Sequence, residues 1–334
     1  MRLLVTGGAG YIGTHLVVEL LSAGHEIVVV DNFSSSQPAA LARAESISGR
    51  RCTLLRGDIA DRALMREAMA GVEAVFHLAA FKHIGNSVQQ PERFFLNNVG
   101  GMAVLLWAMQ QAGVRRIIYS SSAAVYGTQS PAPIVEDAPL CPESPYGISK
   151  VEGERMLDVM VRLRQWSAIS LRFFNPVGAH PSGELGEPLR PSASLVPRAL
   201  MAASESALTI FGTDYPTPDG TCLRDYIHIC DLSRAHLAAA SLLGPPGHQV
   251  FNIGTGRAHS VREVLAACAR QTGAPIPAIE GPRRAGDVAV SVADPARFAR
   301  YTGFQASLDL ESMVASTWRW CRTHRRRATR LVSC

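Results

Sequence analysis

Eight residues near the start of the chain, Thr6-Gly7-Gly8-Ala9-Gly10-Tyr11-Ile12-Gly13, constrain its fold more than any other stretch. They follow a short apolar run, Leu3-Leu4-Val5, which reads as a buried strand. They precede Ile12, Leu16, Val17, Leu20 and Leu21, whose spacing marks one face of a helix. Without side chains at Gly7, Gly10 and Gly13 the backbone can turn tightly, admit a pyrophosphate and let the helix pack on the sheet. The helix dipole and free N–H groups then face the anion. By itself such a pattern can be no more than a tight turn. Here the next apolar run, Glu26 to Val30, ends in Asp31, whose carboxylate can hold a ribose 2′-hydroxyl and would repel a 2′-phosphate. The stretch therefore reads as a dinucleotide cradle that prefers NAD to NADP.

Strand and helix signals alternate through the first half of the chain, which predicts an α/β fold with a doubly wound parallel Rossmann sheet. Further strands are expected at Arg51 to Arg56, Ala74 to Ala80, Arg116 to Tyr119 and Ala168 to Phe174. Helices are expected over 97–112 and, after a proline-rich loop from Pro131 to Pro145, over about 146–166. Asp58 can accept from an adenine amino group or serve the start of the helix from Asp61; the two readings stand level. The small residues Ala79 and Ala80 suggest a flat group close by. Near Asn175 the text becomes rich in Pro, Gly and Ser. We place the NAD-binding domain at 1–175, with returns near 225–255, and a smaller, loop-rich α/β substrate lobe mainly at 176–334.

The 334 residues are 47% hydrophobic, enough for two lobes. Seven cysteines lack any Cys-x-x-Cys pair, so neither a metal site nor a disulfide framework is indicated and a reduced, cytoplasmic setting fits. No apolar run has the length of a membrane span, and the N-terminus lacks signal-peptide text, so no membrane association is expected. The net charge of +5 is local: residues 316–334 hold six arginines and no acid, leaving 5 − 6 = −1 for the rest. A solvated basic tail, about 321–334, is expected. No recognition motif supports a nucleic-acid partner.

Tyr146 and Lys150 lie four apart, so they share a helix face. A tyrosine phenol is a poor base at neutral pH, but a nearby ammonium and an oxidised nicotinamide both favour phenolate. Tyr146 could then accept a substrate hydroxyl proton. Ser122, at the C-terminal end of a central strand, lies where a doubly wound sheet binds its ligand and could steady that proton. Tyr-x-x-x-Lys alone is common surface-helix text. Its weight comes from the glycine loop and the strand-end serine.

With these residues in place, the chain resembles the extended short-chain dehydrogenase/reductase family, in its UDP-sugar 4-epimerase branch. The matching text includes TGGAGYIG at 6–13, GDI at 57–59, HLAAFKHIGNSVQQP at 77–91, SSSAAVYG at 120–127 and SPYGISK at 144–150. It continues with RFFNPVGAH at 172–180, FGTDYPTPDGTCLRDYIHICDL at 211–232, FNIGTG at 251–256 and RRAGD at 283–287. Only the tail beyond about Trp320 lies outside it. The resemblance implies an isomerase that keeps NAD bound and passes a UDP-sugar through a 4-keto intermediate. It implies cofactor contacts at Gly7, Gly10, Tyr11, Ile12, Gly13, Asp31, Asn32, Asp58, Ile59, Lys82, Asn98, Tyr146 and Lys150. It implies substrate contacts at Lys82, Ser122, Tyr146, Asn175, Leu195, Phe211, Arg224, Tyr226, Arg284 and Asp287.

Ser194 stands where the family usually has asparagine, and Ser291 where relatives carry either tyrosine or a small residue beside the sugar. A serine at 291 leaves room for an N-acetyl group. Relatives pair through the helices over 97–112 and 146–166, which implies a homodimer; Val151, Met156, Leu157, Met160 and Val161 give the second more apolar surface than one sheet-facing stripe needs. A 4,6-dehydratase would need an acid near Ser122, and Ser122-Ala123-Ala124 supplies none. A decarboxylase is disfavoured on the same ground. A non-catalytic NAD sensor would be free to lose Ser122, Tyr146 and Lys150.

Overall fold

A computed structural model describes residues 1–128, 132–189, 194–202, 207–284 and 287–332, with side chains placed up to residue 324 in the last helix. The first half runs β1 (Arg2–Thr6), α1 (Tyr11–Ser22), β2 (Glu26–Asp31), α2 (Pro38–Ser48), β3 (Thr53–Arg56), α3 (Arg62–Ala68) and β4 (Ala74–His77). Then come α4 (Ile84–Gln89), α5 (Pro91–Phe94), a π-helical turn (Phe95–Gly100), α6 (Gly101–Ala112), β5 (Arg116–Ser120), α7 (Pro145–Arg164) and β6 (Ser167–Phe173). The second half adds β7 (Asn175–Val177), α8 (Leu195–Ala202), β8 (Leu208–Phe211), β9 (Leu223–His228), α9 (Ile229–Ala240) and β10 (Gly247–Ile253). It closes with β11 (Ala258–Ser260), α10 (Val261–Thr272), β12 (Ala278–Gly281), β13 (Val290–Ser291), α11 (Ala296–Thr302) and α12 (Leu310–Val332).

Seven strands form one sheet in the order β10-β6-β5-β4-β1-β2-β3, every pair parallel. That is the doubly wound arrangement, whose strand order reverses between β1 and β4. Side chains alternate across it. Leu3, Val5, Ile27 and Val29 pack with α1, α2 and α9, while Leu4, Val28, Val30 and Val75 pack with α3, α6 and α7. Both faces are covered, which is why these strands read as continuous apolar runs. A second, smaller sheet runs β11-β9-β13 with β7 also paired to β9, and β8 pairs with β12. Its core holds Val196, Leu200, Tyr226, Val264, Met313 and Trp320.

Three local expectations shift. The helix expected over 97–112 begins earlier, at Pro91, and passes through a π turn before α6. The π turn inserts an extra residue where Gly101 lets the Ile59 side chain approach: a Cβ on Gly101 would lie 2.4 Å from it. In α7, Val151 and Leu157 are buried in the chain's own core, whereas Val159 and Leu163 are exposed, as are Val88 and Leu96. The basic tail continues α12 to Val332, because Trp320 and Cys321 are buried and Ala and Arg favour helix. Among the described residues no helix is long and apolar enough to cross a membrane.

Candidate active site

The loop from β1 to α1 packs against itself and against the end of β4. Gly7 has φ of +69°, and a Cβ there would lie 2.8 Å from the Ala79 backbone nitrogen. A Cβ on Gly13 would lie 2.2 Å from the Gly7 carbonyl oxygen. The absence of a side chain at Gly7 is thus what lets the loop lie against the end of β4. Gly10 precedes α1 with no side-chain cap, and the first turn carries no acid. The positive end of α1 is left for an external anion, as a pyrophosphate requires.

Asp31 has a task that the sequence did not disclose. Its carboxylate accepts from the Ala9 N–H at 2.9 Å, the Phe33 N–H at 2.8 Å and the Ser36 hydroxyl at 2.8 Å, tying β2 to the loop. A carboxylate has about four acceptor positions, so one remains for a ribose. Asn32 donates to Asp58 at 2.8 Å, and Asp58 accepts from the Ala60 N–H at 2.9 Å. Asp61, not Asp58, caps α3. The Ile59 side chain is buried against Gly101, so only its backbone is left to meet a ligand. The Asn98 amide is taken up inside the protein, donating to the Phe81 carbonyl and Ser149 and accepting from the Phe81 N–H. Its side chain holds the segment that carries Lys82.

At the C-terminal end of β5 the structure brings Ser122, Tyr146 and Lys150 together. Ser144 caps α7 through the Gly147 N–H and Pro145 opens its first turn, fixing where Tyr146 enters. Tyr146 shares a hydrogen bond with the Ser122 hydroxyl. The Lys150 ammonium donates to the Ser120 carbonyl at 2.7 Å and lies 4.9 Å from the Tyr119 ring centre and 5.9 Å from that of Tyr146. Burial pushes the Tyr146 phenol up, and the Ser122 hydrogen bond pulls it back. Burial pulls the Lys150 ammonium down to about 7, against the field of Glu154. At the phenol desolvation outweighs the effect of Ser122, and the lysine lies close to its titration point at neutral pH.

Tyr11, Lys82 and Ser194 converge on Glu187, which the sequence reading missed. Lys82 lies 3.3 Å from the Glu187 carboxylate and 5.7 Å from the Tyr11 ring centre. Ser194 donates to the same carboxylate through its hydroxyl, and Leu195 opens α8 beside it. Tyr11 donates to the Gly178 carbonyl at 2.7 Å. In the second sheet Arg224 donates to the Leu223 and Val288 carbonyls and lies 3.5 Å from Asp287. Arg284 lies 3.9 Å from the same carboxylate and stacks on Phe211 at 4.2 Å. Asp287 thus holds two guanidiniums near one another, a pairing suited to a diphosphate. Ser291 pairs in register with Arg224.

Asn175 donates to the Asp225 carbonyl at 2.9 Å. The Tyr226 side chain, in contrast, is buried in the second core. Asp225 was missed too: its buried carboxylate accepts from the Thr255, Gly256 and Ala293 N–H groups, stapling β9 to the loops after β10 and β13. Its signal was the LRDY and FNIGTG text at 223–226 and 251–256.

The model of the NAD dependent epimerase/dehydratase family matches residues 3–254. The chain belongs to this family, and its cofactor is NAD. Within the family its relatives are narrower in kind. A UDP-glucose 4-epimerase of Yersinia pestis is 45% identical over 328 residues, spanning 96% of this chain and 97% of the relative. The structure of UDP-glucose 4-epimerase from Stenotrophomonas maltophila, with bound NAD and formylated UDP-arabinopyranose, superimposes with a TM-score of 0.95 at 41% identity, covering 98% of this chain and 99% of that one. The Bifidobacterium longum enzyme in complex with NAD+ and UDP gives a TM-score of 0.93 at 41% identity over 97% of this chain and 99% of its own.

Proposed function

We propose that the chain interconverts the C4 epimers of a UDP-sugar, UDP-glucose and UDP-galactose in the first place, through a 4-keto intermediate. The observation that carries this reading is the Ser122–Tyr146–Lys150 cluster at the end of a central strand, in a chain that also holds a glycine cradle and an arginine pair. When bound, NAD supplies a reversible hydride acceptor; the glycine loop, Asp31 and Lys150 are the residues that fit it. Tyr146 takes the proton of the sugar 4-hydroxyl and later returns it, with Ser122 steadying that proton in transit. Arg224 and Arg284 grip the diphosphate, about which the keto sugar turns to present its other face. Incubation with a panel of UDP-sugars and separation of the products tests the reading. Appearance of the C4 epimer supports it, and recovery of only the starting sugars contradicts it.

Val88, Leu96, Val159 and Leu163, on α4, the π turn and α7, are exposed apolar side chains, which suits a homodimer packed through α6 and α7. A dimeric mass by light scattering checks this. A cytoplasmic setting accords with the described cysteines, no two of which are joined in a disulfide.

A further inference from the structure

Helix α7 places Tyr146, Lys150 and Glu154 one turn apart on a single buried stripe. Each of the three holds a different residue of the strand end that β5 delivers. The Tyr146 phenol faces Ser122, Lys150 bonds the Ser120 carbonyl at 2.7 Å, and Glu154 accepts from the Ser121 hydroxyl at 2.5 Å. Three helix positions spaced by four therefore clamp three consecutive strand residues. The first two serve the chemistry proposed above, which leaves the third without a task.

Glu154 is itself gripped by Arg172 of β6, with Nε and Nη2 reaching its two oxygens at 2.9 and 2.6 Å. Arg172 also donates to the Tyr126 hydroxyl and the Glu136 carbonyl, each at 2.9 Å. Both side chains of the pair are about 5% exposed. A buried ion pair is a poor source of stability, because desolvating the two charges offsets most of their attraction. Its position directly behind the catalytic stripe calls for another reason.

The groups that face Lys150 are few. On α7 they are Tyr146 and Glu154; from β5, Tyr119 and the Ser120 carbonyl; from β4, His77; Arg172 of β6 stands behind them, on Glu154. His236 of α9 reaches the same strand end through the Ser120 hydroxyl at 2.9 Å. Burial holds both histidines far below their ordinary range, so neither adds a charge at neutral pH. Glu154 is the one carboxylate in this group.

We propose that Glu154 is a positioning residue for the reaction, locking the strand end that carries Ser122 and supplying the negative field that keeps Lys150 cationic beside Tyr146. This rests on the epimerase reading. Since burial draws the lysine down and Glu154 acts the other way, loss of the carboxylate draws it down further. An uncompensated Arg172 pushes in the same direction. Activity that depends on the Lys150 ammonium is then lost at a lower pH.

The test is kcat and KM for UDP-galactose, measured from about pH 6 to about pH 9 on the NAD-loaded enzyme. The variants are Glu154→Gln, Glu154→Asp and the double variant Glu154→Gln/Arg172→Met, in which no buried guanidinium is stranded. In Glu154→Gln, kcat should fall on the order of tenfold with KM within about twofold. The alkaline limb of kcat should move down by about one pH unit. Glu154→Asp, which keeps the charge, should hold the wild-type limb, and the double variant should keep the shifted one. A folded Gln or double variant with wild-type kcat and limb, or an Asp variant shifted as far as Gln, would overturn the proposal and leave Glu154 a structural residue. Wild-type enzyme that turns over no UDP-sugar would instead remove the epimerase reading itself.

Discussion

Tyr146 is buried, and burial holds its phenol above its ordinary range, so at neutral pH it depends on nearby positive charge to act as a base. If it is the base, Tyr146→Phe should lower kcat by on the order of 10²–10⁴ while the protein keeps its fold. Wild-type turnover by a folded Phe variant would remove Tyr146 from the reaction. Ser291, in register with Arg224, bears on breadth. The serine should let UDP-N-acetylglucosamine and UDP-N-acetylgalactosamine interconvert, and Ser291→Tyr should abolish that activity while sparing UDP-glucose. Equal processing of both substrate pairs by the tyrosine variant would show that another residue bounds the pocket. Tyr146 and Lys150 were legible because a spacing of four is itself geometry. Glu154 and Glu187 were not. An acid in helix or loop text looks solvated until its tertiary partners are known: the end of β5 brings Ser121 to Glu154, and the loop before α8 brings Ser194 to Glu187.

Among the elements, α7 links folding to chemistry, since its first turn carries Tyr146. Its N-cap Ser144 accepts from the Gly147 N–H at 3.1 Å, and its C-cap Gln165 sits at φ of +56°. Ser144→Ala should cost about 1 kcal/mol, whereas Gln165→Gly should gain about 1 kcal/mol by relieving the left-handed backbone. Urea unfolding of the two variants checks both signs, and a stabilised Ser144→Ala would contradict the capping account. The sheet strands could be located from sequence because they are buried on both faces and therefore apolar throughout. The start of the helix before α6 could not, because a π turn interrupts the 3.6-residue period on which such reading depends.

The whole molecule carries an acid weakness that follows from its buried histidines. Burial pulls His15 and His77 down to about 3 and His228 and His236 to about 4, from an ordinary 6.5. Between those values the unfolded chain binds protons that the folded one refuses, so stability is full above about pH 6.5 and falls as pH drops below it. At pH 5 each such histidine costs about 2 kcal/mol. The Tm should therefore fall clearly between pH 7 and pH 5, and a flat Tm would show that these side chains find water or partners when protonated.

The central claim is that the C4 centre is oxidised and reduced within one site. The measurement that tests it most directly uses UDP-glucose deuterated at C4, with the UDP-galactose formed analysed by mass spectrometry. The hydrogen removed from C4 is the one returned, so the account predicts that the product keeps the deuterium at C4. Product that has lost the deuterium to solvent, or no UDP-galactose at all, would contradict it.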